Sequence, residues 1–314
     1  MARPVVGIGE LLWDVFPDGR RVAGGAPFNF AFHCRQLGHA GTVASRVGDD
    51  ELGRELRAEV RRLGMSDEFI QTDPRRPTGT VRVTLDAAGV PAYRITEGVA
   101  WDAIEWTPAV AALAGEAEAV CHGTLAQRAD TSCDTIQTFL HECRSGPGGS
   151  AHRVFDVNLR QHYYTKPRIT WSLSRSHTVK LNADELAALA DLFGWPGTTD
   201  AERVAGLFRS SAAETRLVIL TRGADGCTVY PERGEPLTMP APPANVVDTV
   251  GAGDAFTAAM VCMQLEGRPP GDDLRFALHY AARVCEHRGA TPTIDRAEVE
   301  RAAQSASRGP SGAG

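Results

Sequence analysis

The sequence predicts an α/β fold with a mostly parallel central sheet and a small accessory β-sheet, and three observations carry that expectation. Short apolar runs recur at 4–9, 42–47, 118–121, 153–157, 177–181 and 217–221, each with the length of a buried strand. Amphipathic stretches of helical length lie between several of them, at 49–63, 131–144 and 183–194. Strand–helix alternation of this kind implies parallel strands with covering helices. Residues 11–24 and 78–96 break the rhythm; the second reads TGTVRVTLDAAGVPAYRIT, an alternating pattern around a Gly-containing turn that predicts a β-hairpin. Such strands form either a second sheet projecting from the main one or an edge extension of it, and periodicity leaves both open.

At 314 residues, 43% apolar and 23% charged, the composition is that of an ordinary globular protein with a sizeable core, which excludes a disordered chain or a coiled coil. The 33 Lys and Arg stand against 39 Asp and Glu, a net charge of −6 that offers no broad attraction to phosphate backbones or anionic lipid. Nucleic acid and membrane are therefore not expected partners. No run approaches the ~20 apolar residues of a membrane span, and an apolar strand follows Met1 without a signal-peptide pattern, so the cytoplasm is the expected compartment. The seven cysteines are scattered and lack a CxxC pair, which argues against a disulfide framework or a structural zinc site. Cys121 with His122, and His141 with Cys143, come nearest to ligand spacing, but they read as a strand end and a helix face. Residues 145–152 (SGPGGSAH) and 303–314 (AQSASRGPSGAG) have nothing to bury and are expected to be mobile, the latter as a disordered tail to a single domain over 1–302.

The most informative stretch is Asn245–Met260, NVVDTVGAGDAFTAAM. An apolar approach gives way to Gly251, Ala252 and Gly253, then Asp254, then small and apolar residues fit for a buried helix. Backbone N–H groups at a helix N-terminus, unobstructed by side chains, form a site for phosphate oxygens, and the helix dipole adds to the attraction. Asp254 in the first turn either caps the helix or takes a proton from an attacking hydroxyl during phosphoryl transfer.

The whole string resembles the second signature of the PfkB, or ribokinase-like, carbohydrate kinases, whose GAGD turn supplies an anion hole and a catalytic Asp. The segment GGAPFNFA at 24–31, with Gly38 and Gly48 following, is similar to the family's first signature. A Gly24-Gly25 turn lets backbone approach a ligand closely, and Asn29 offers both donor and acceptor to sugar hydroxyls. Asp14, in GELLWD, stands where family members place a carboxylate that binds substrate hydroxyls.

Three further segments, FDVNLR (155–160), KLNADE (180–185) and LTRGADGC (220–227), end or follow apolar runs, which places them at carboxyl ends of strands, where ligands bind. Asn182 and Glu185 resemble the family's N-x-x-E element, which holds Mg²⁺ largely through water; a capping box on the next helix is compatible with that role. Thr221, Gly223 and Gly226 resemble the turn along the nucleotide phosphates and ribose, and the resemblance places Lys180 on the same nucleotide side. Arg160 faces either a sugar or phosphate oxygen or a surface carboxylate. The segment LRFALHYAARVCEHRGATP resembles the helix that walls the adenine pocket, with His279 where many relatives carry Asn. Asp248, with carbonyls near Val250 and Gly289, resembles the K⁺ site of some relatives.

The resemblance spans residues 4–300 and implies a three-layer ribokinase-like α/β/α fold whose segments 11–24 and 77–100 build a β-lid. It implies a kinase that takes ATP and Mg²⁺ and phosphorylates a sugar hydroxymethyl group. The GGAPFN, HGTLAQR and DVNLR strings look most like bacterial fructokinases, so fructose is the expected acceptor. Ribose, 2-keto-3-deoxygluconate and adenosine are the alternatives, and a noncatalytic sugar sensor is a reading from another class. Along the hairpin Val81, Val83 and Leu85 alternate with Arg82, Thr84 and Asp86, an apolar face suited to a homodimer through the lid. The chain has no P-loop motif, no protein-kinase motif set, and after Gly7-Ile8-Gly9 no third glycine of a dinucleotide fingerprint.

Overall fold

A computed structural model describes residues 2–85, 91–143, 150–211 and 214–307. The strands are β1 (Pro4–Ile8), β2 (Leu12–Val15), β3 (Arg21–Gly24), β4 (Ala40–Gly48), β5 (Ile70–Asp73), β6 (Gly79–Leu85), β7 (Pro91–Ile95), β8 (Ala119–His122), β9 (His152–Asp156), β10 (Thr178–Asn182), β11 (Leu217–Thr221), β12 (Cys227–Pro231) and β13 (Leu237–Met239). The helices are α1 (Ala26–Gln36), α2 (Glu51–Arg62), α3 (Pro108–Glu116), α4 (Asp130–Glu142), α5 (Lys166–Leu173), α6 (Ala183–Phe193), α7 (Asp200–Ser210), α8 (Ala252–Leu265), α9 (Pro270–Cys285) and α10 (Arg296–Ser307). Residues 303–307, which the sequence assigns to a mobile tail, instead complete α10, and of the segment 145–152, expected to be mobile, Ala151 is buried and His152 opens β9; 308–314 and 144–149 lie outside the described residues.

Among the described residues the main sheet has nine strands in the order β13-β12-β11-β10-β9-β8-β1-β4-β5. The run from β11 to β5 is parallel, and β12 and β13 add an antiparallel edge. Strands β3-β2-β6-β7 make a separate four-stranded sheet, so the 11–24 and 78–96 segments build a second sheet and not an edge extension. In its hairpin Val81 pairs with Ile95, and both side chains pack inward with Leu12, Val99 and Trp101. The apolar face is thus partly consumed by the core at Val81; the side chains of Val83, Thr84 and Leu85, and all of Asp86, lie outside the described residues.

The topology decides where a ligand can sit. After β1 and the first two strands of the small sheet the chain adds β4 and β5 on one side, completes the small sheet with β6 and β7, then returns to place β8 on the other. The carboxyl ends of β1 and β8 therefore frame the topological switch point, the standard crevice of open α/β sheets. Helices α1 and α8 pack on the same face, and both start at that carboxyl edge. Helix α8 is apolar nearly all round, with Ala255 to Met263 buried against α1 and α9, as expected of a central helix.

The root of the small sheet is fixed by Arg128. Its Nε and Nη2 donate to both oxygens of Asp102 at 2.7 and 2.8 Å, and Nη2 also donates to the Thr96 carbonyl, just past β7. The guanidinium stacks on Trp101 and Tyr163, 4.0 and 4.6 Å from their ring centroids. Removing Arg128 strands a buried carboxylate. We expect Arg128→Met to cost about 3–5 kcal/mol in urea unfolding; a loss under about 1 kcal/mol would show that water solvates Asp102 instead.

Candidate active site

Thr221 and Asn182, which the sequence singles out, fall along one edge of the sheet together with several polar residues that it does not. Thr221 ends β11 and pairs in register with Asn182 at the end of β10; Asp156 ends β9; Cys121 and His122 end β8; and Glu10 follows β1. The residues assigned to nucleotide thus sit toward β10 and β11, and those assigned to sugar sit toward β1 and the small sheet. Asp254 stands between the two groups, in a narrow cleft lined also by Ala26, Pro27, Cys121, Gly123 and Asp156.

On the sugar side the chain must turn sharply from β3 into α1. Gly25 makes that turn at φ +115°, and a Cβ there would lie 2.3 Å from the Glu10 carbonyl. Gly24 lies against the Asp14 carboxylate, leaving it room on the neighbouring strand β2. One turn into α1, Asn29 donates from Nδ2 to Oδ2 of Asp254 at 2.8 Å. The two helix N-termini are joined by that bond.

Three acidic groups collect here. Glu10 is 4% exposed and Oε1 accepts from the Ala26 amide at 3.3 Å, while Oε2 is buried without a hydrogen-bond partner. Burial pushes its carboxyl up to about 7, helped by the nearby charge of Asp254 and opposed by backbone amides and Arg160. Burial likewise lifts Asp14 to about 6, against the pull of Arg160. Asp254 rises to about 6 through burial and the Asp156 charge, held back by Asn29, Lys180 and Arg160. Strongly shifted acids gathered around one cation in a cleft mark a functional site.

Arg160 is the cation whose charge reaches all three acids, although its side chain is exposed and Nη1 donates to the Leu159 carbonyl at 3.1 Å. The loop presenting it is strained: Asn158 and Gln161 have φ of 41° and 50°. It is held from both sides, since Thr124 Oγ1 donates to the carbonyls of Val157 and Asn158, and the Leu159 amide donates to Glu185 Oε1 at 2.9 Å.

On the opposite side, Gly251 caps α8 in the left-handed conformation (φ 78°), and a Cβ there would strike Ala290 at 2.5 Å. The amides of Gly253 and Asp254 have no partner one turn back within α8, and the Ala252 amide donates to the Thr249 carbonyl at 3.3 Å. Lys180 Nζ lies against Gly253 and donates to both oxygens of Asp156 at 3.1 Å. Burial works to lower the Lys180 ammonium, but Asp156, Glu185 and Asp254 together hold it above its ordinary value, so it stays charged. Thr257 Oγ1 completes the contact by donating toward Asp156.

Asn182 and Glu185 form the capping box of α6: Asn182 Oδ1 accepts from the Glu185 amide at 2.8 Å, and Glu185 Oε2 accepts from the Asn182 amide at 2.9 Å. Both Glu185 oxygens already accept amides. As hard oxygen donors they suit Mg²⁺, and they would hold its water in preference to the bare ion. Gly223 and Gly226 bracket the short turn from β11 to β12. Asp248 ties its loop down, with Oδ1 accepting from the Val250 amide and Oδ2 from the Gly289 amide, both at 3.0 Å. His279 is half-buried on α9, where burial and then Arg275 and Arg283 lower its pKa.

Sequence reasoning does not single out Glu10, whose signal is its burial. It also passes over Val246 and Val247, 63% and 57% exposed, although their exposure follows from an apolar run leading into a glycine turn. We expect Glu10→Gln to reveal the trapped acid. Ionised Glu10 is disfavoured in the folded state, so its contribution is fully present below the unfolded value of 4.5 and is lost as pH rises to about 7. In urea unfolding, Glu10→Gln should gain on wild type across that window, by roughly 3 kcal/mol at pH 8. An equal difference at pH 4 and pH 8 would contradict the burial.

A family model described as pfkB family carbohydrate kinase matches residues 15–297. A fructokinase of Klebsiella pneumoniae is 30% identical over 267 residues, covering 81% of this chain and 82% of that protein. A solved sugar kinase of Pyrococcus horikoshii, 26% identical, covers 95% of this chain and 97% of its own at a TM-score of 0.79. The ATP-bound fructokinase of Xylella fastidiosa, 21% identical, superposes over 98% of this chain and 100% of its own at 0.85 and shares the fold.

Proposed function

The chain belongs to the pfkB family of carbohydrate kinases and is an ATP-dependent sugar kinase, and from that premise we propose that its acceptor is fructose, phosphorylated to fructose 6-phosphate. The observation that carries a polyol acceptor is a surplus of hydrogen-bond acceptors beside Asp254. Asn29 Oδ1 and Glu10 Oε2 are buried without a donor, and among the described residues no hydrogen bond reaches the Asp14 carboxylate. Buried acceptors left unpaired are costly, and a sugar's hydroxyls are the donors that relieve them. Fructose in particular is supported by relatives named fructokinase, in Klebsiella pneumoniae and Escherichia coli at 30% and 28% identity.

In this reading Asn29 holds Oδ2 of Asp254 and leaves Oδ1 to take the proton of the attacking hydroxyl. The proton moves from the sugar oxygen to Asp254 as that oxygen bonds to the γ-phosphorus and the bond to ADP breaks. The amides of residues 252–254 receive charge on the transferred group, with Lys180 beneath them adding to the field. Asn182 and Glu185 would hold Mg²⁺, which would supply charge neutralisation on the phosphates. Thr221 and the Gly223–Gly226 turn lie beside the phosphates and ribose. The exposed Val246 and Val247, on a loop tethered to α9 through the Cys285 carbonyl, with His279, offer the apolar wall for adenine.

Release of ADP across a panel of ketoses, aldoses, keto-deoxy acids and nucleosides tests the substrate. The highest kcat/KM should belong to fructose; a preferred nucleoside or sugar acid would refute the assignment. Asp254→Asn should lower kcat by at least about 10²–10⁴-fold while fructose still binds, and a near-normal rate would remove Asp254 from its role. Because the base must be ionised, kcat/KM should rise from pH 5 to 7 with an apparent pKa near 6. A flat profile over that range would count against it.

A further inference from the structure

Asn29, His33 and Gln36 follow one another at i, i+4 and i+7 along α1, so they share a face. Asn29 grips Asp254, and the other two grip a different piece of chain, the strap at 289–294. Gln36 donates from Nε2 to the Pro292 carbonyl at 2.7 Å and accepts from the Ile294 amide at 3.0 Å. His33, 0% exposed, meets the Ala290 carbonyl through Nε2 at 2.9 Å and the Tyr280 hydroxyl through Nδ1 at 3.0 Å.

The partners fix the tautomer. A carbonyl only accepts, so Nε2 carries the proton and donates to Ala290, and Nδ1 accepts from the Tyr280 O–H. Burial lowers the imidazole pKa to about 4, consistent with a neutral ring. Ala290 in turn is the surface against which Gly251 closes, since any Cβ on Gly251 would fall within 2.5–2.9 Å of Ala290 atoms. The Asp248 carboxylate pins the strap one residue earlier, at the Gly289 amide.

We propose that His33 is a positioning residue for phosphoryl transfer, which through Ala290 sets the Gly251 turn against the same helix face that holds Asp254. It touches neither substrate. Base and amide cradle share the first turn of α8, and His33 with Asn29 makes the placement of that turn against α1 a property of one rigid helix face, so a sugar that settles against α1 finds the phosphate-binding turn already in place.

The proposal rests on the kinase reading, and the test separates the two. His33→Leu removes the donor; His33→Gln retains a side-chain N–H for Ala290; Tyr280→Phe removes only the hydroxyl that orients the ring. We expect His33→Leu to lower kcat by about 10- to 100-fold, since small displacements of reacting groups cost that much, with the sugar KM changed by less than about threefold. His33→Gln should recover most of the loss. Amide hydrogen exchange, measured without any substrate, should rise in peptides covering 249–257 and 286–292 for the Leu variant and not for the Gln variant. Unchanged kcat and exchange in His33→Leu, or equal defects in Leu and Gln, would overturn the proposal. If the Leu variant does not fold, Tyr280→Phe decides: raised exchange at the same two peptides with lower kcat supports it, and no change in either refutes it. A wild-type protein without sugar-dependent turnover would strike the functional reading alone, because the exchange comparison stands without it.

Discussion

The hydrogen bond from Asn29 to Asp254 is the point on which the rest of the structure converges. It joins two helices remote in sequence at their N-termini, where both dipoles turn their positive ends to one crevice. Neither helix could place an acid there alone. The sheet order puts β1 and β8 at the switch point, α1 and α8 start at that edge, and α1 is entered from β3 of the small sheet through Gly25. An acid buried beside another acid is lifted toward neutrality, and the amide of Asn29 together with Arg160 and Lys180 limits that lift. The outcome is a carboxylate ionised at neutral pH yet basic enough to accept a proton.

The crevice has two chemically opposite halves. Toward β1 it presents acceptors without donors, the complement of a polyol. Toward α8 it presents the amides of Gly253 and Asp254 without acceptors in the helix, and that of Ala252 on a long bond to the Thr249 carbonyl, the complement of a phosphoryl group. Burying unmatched groups of either kind is unfavourable, and here the cost is borne by rigid surroundings: the strained Arg160 loop is fastened by Thr124 and Glu185, and the glycine turn by Ala290 and Asp248. Such strain persists only where neighbouring structure over-determines it.

Much of this was legible in the residues themselves. The buried strands have a composition that tertiary contacts do not overrule, so 153–157 and 217–221 emerge as β9 and β11 almost unchanged. The GAGD and GGAPFN turns are readable because glycine is required where backbone must approach other atoms closely, as Gly25 and Gly251 do. Strands β5 and β13 were not, at 4 and 3 residues, since such short pieces carry no period. The end of α10 was missed because Ala, Gln and Ser in AQSAS resemble a solvated tail until the preceding turns supply a helix to extend. Glu10 illustrates the harder limit. Its position after a strand is visible in sequence, but its shifted acidity arises from groups far along the chain that fold over it.

The account is tested most directly by a crystal structure with fructose and a non-transferable ATP analogue. A sugar hydroxyl oxygen should lie within about 2.6–3.2 Å of the Asp254 carboxylate, with other hydroxyls on Asp14 and Asn29 Oδ1 and the terminal phosphate on the amides of 252–254. A sugar bound with every hydroxyl out of reach of Asp254, or a phosphate seated away from those amides, would contradict it.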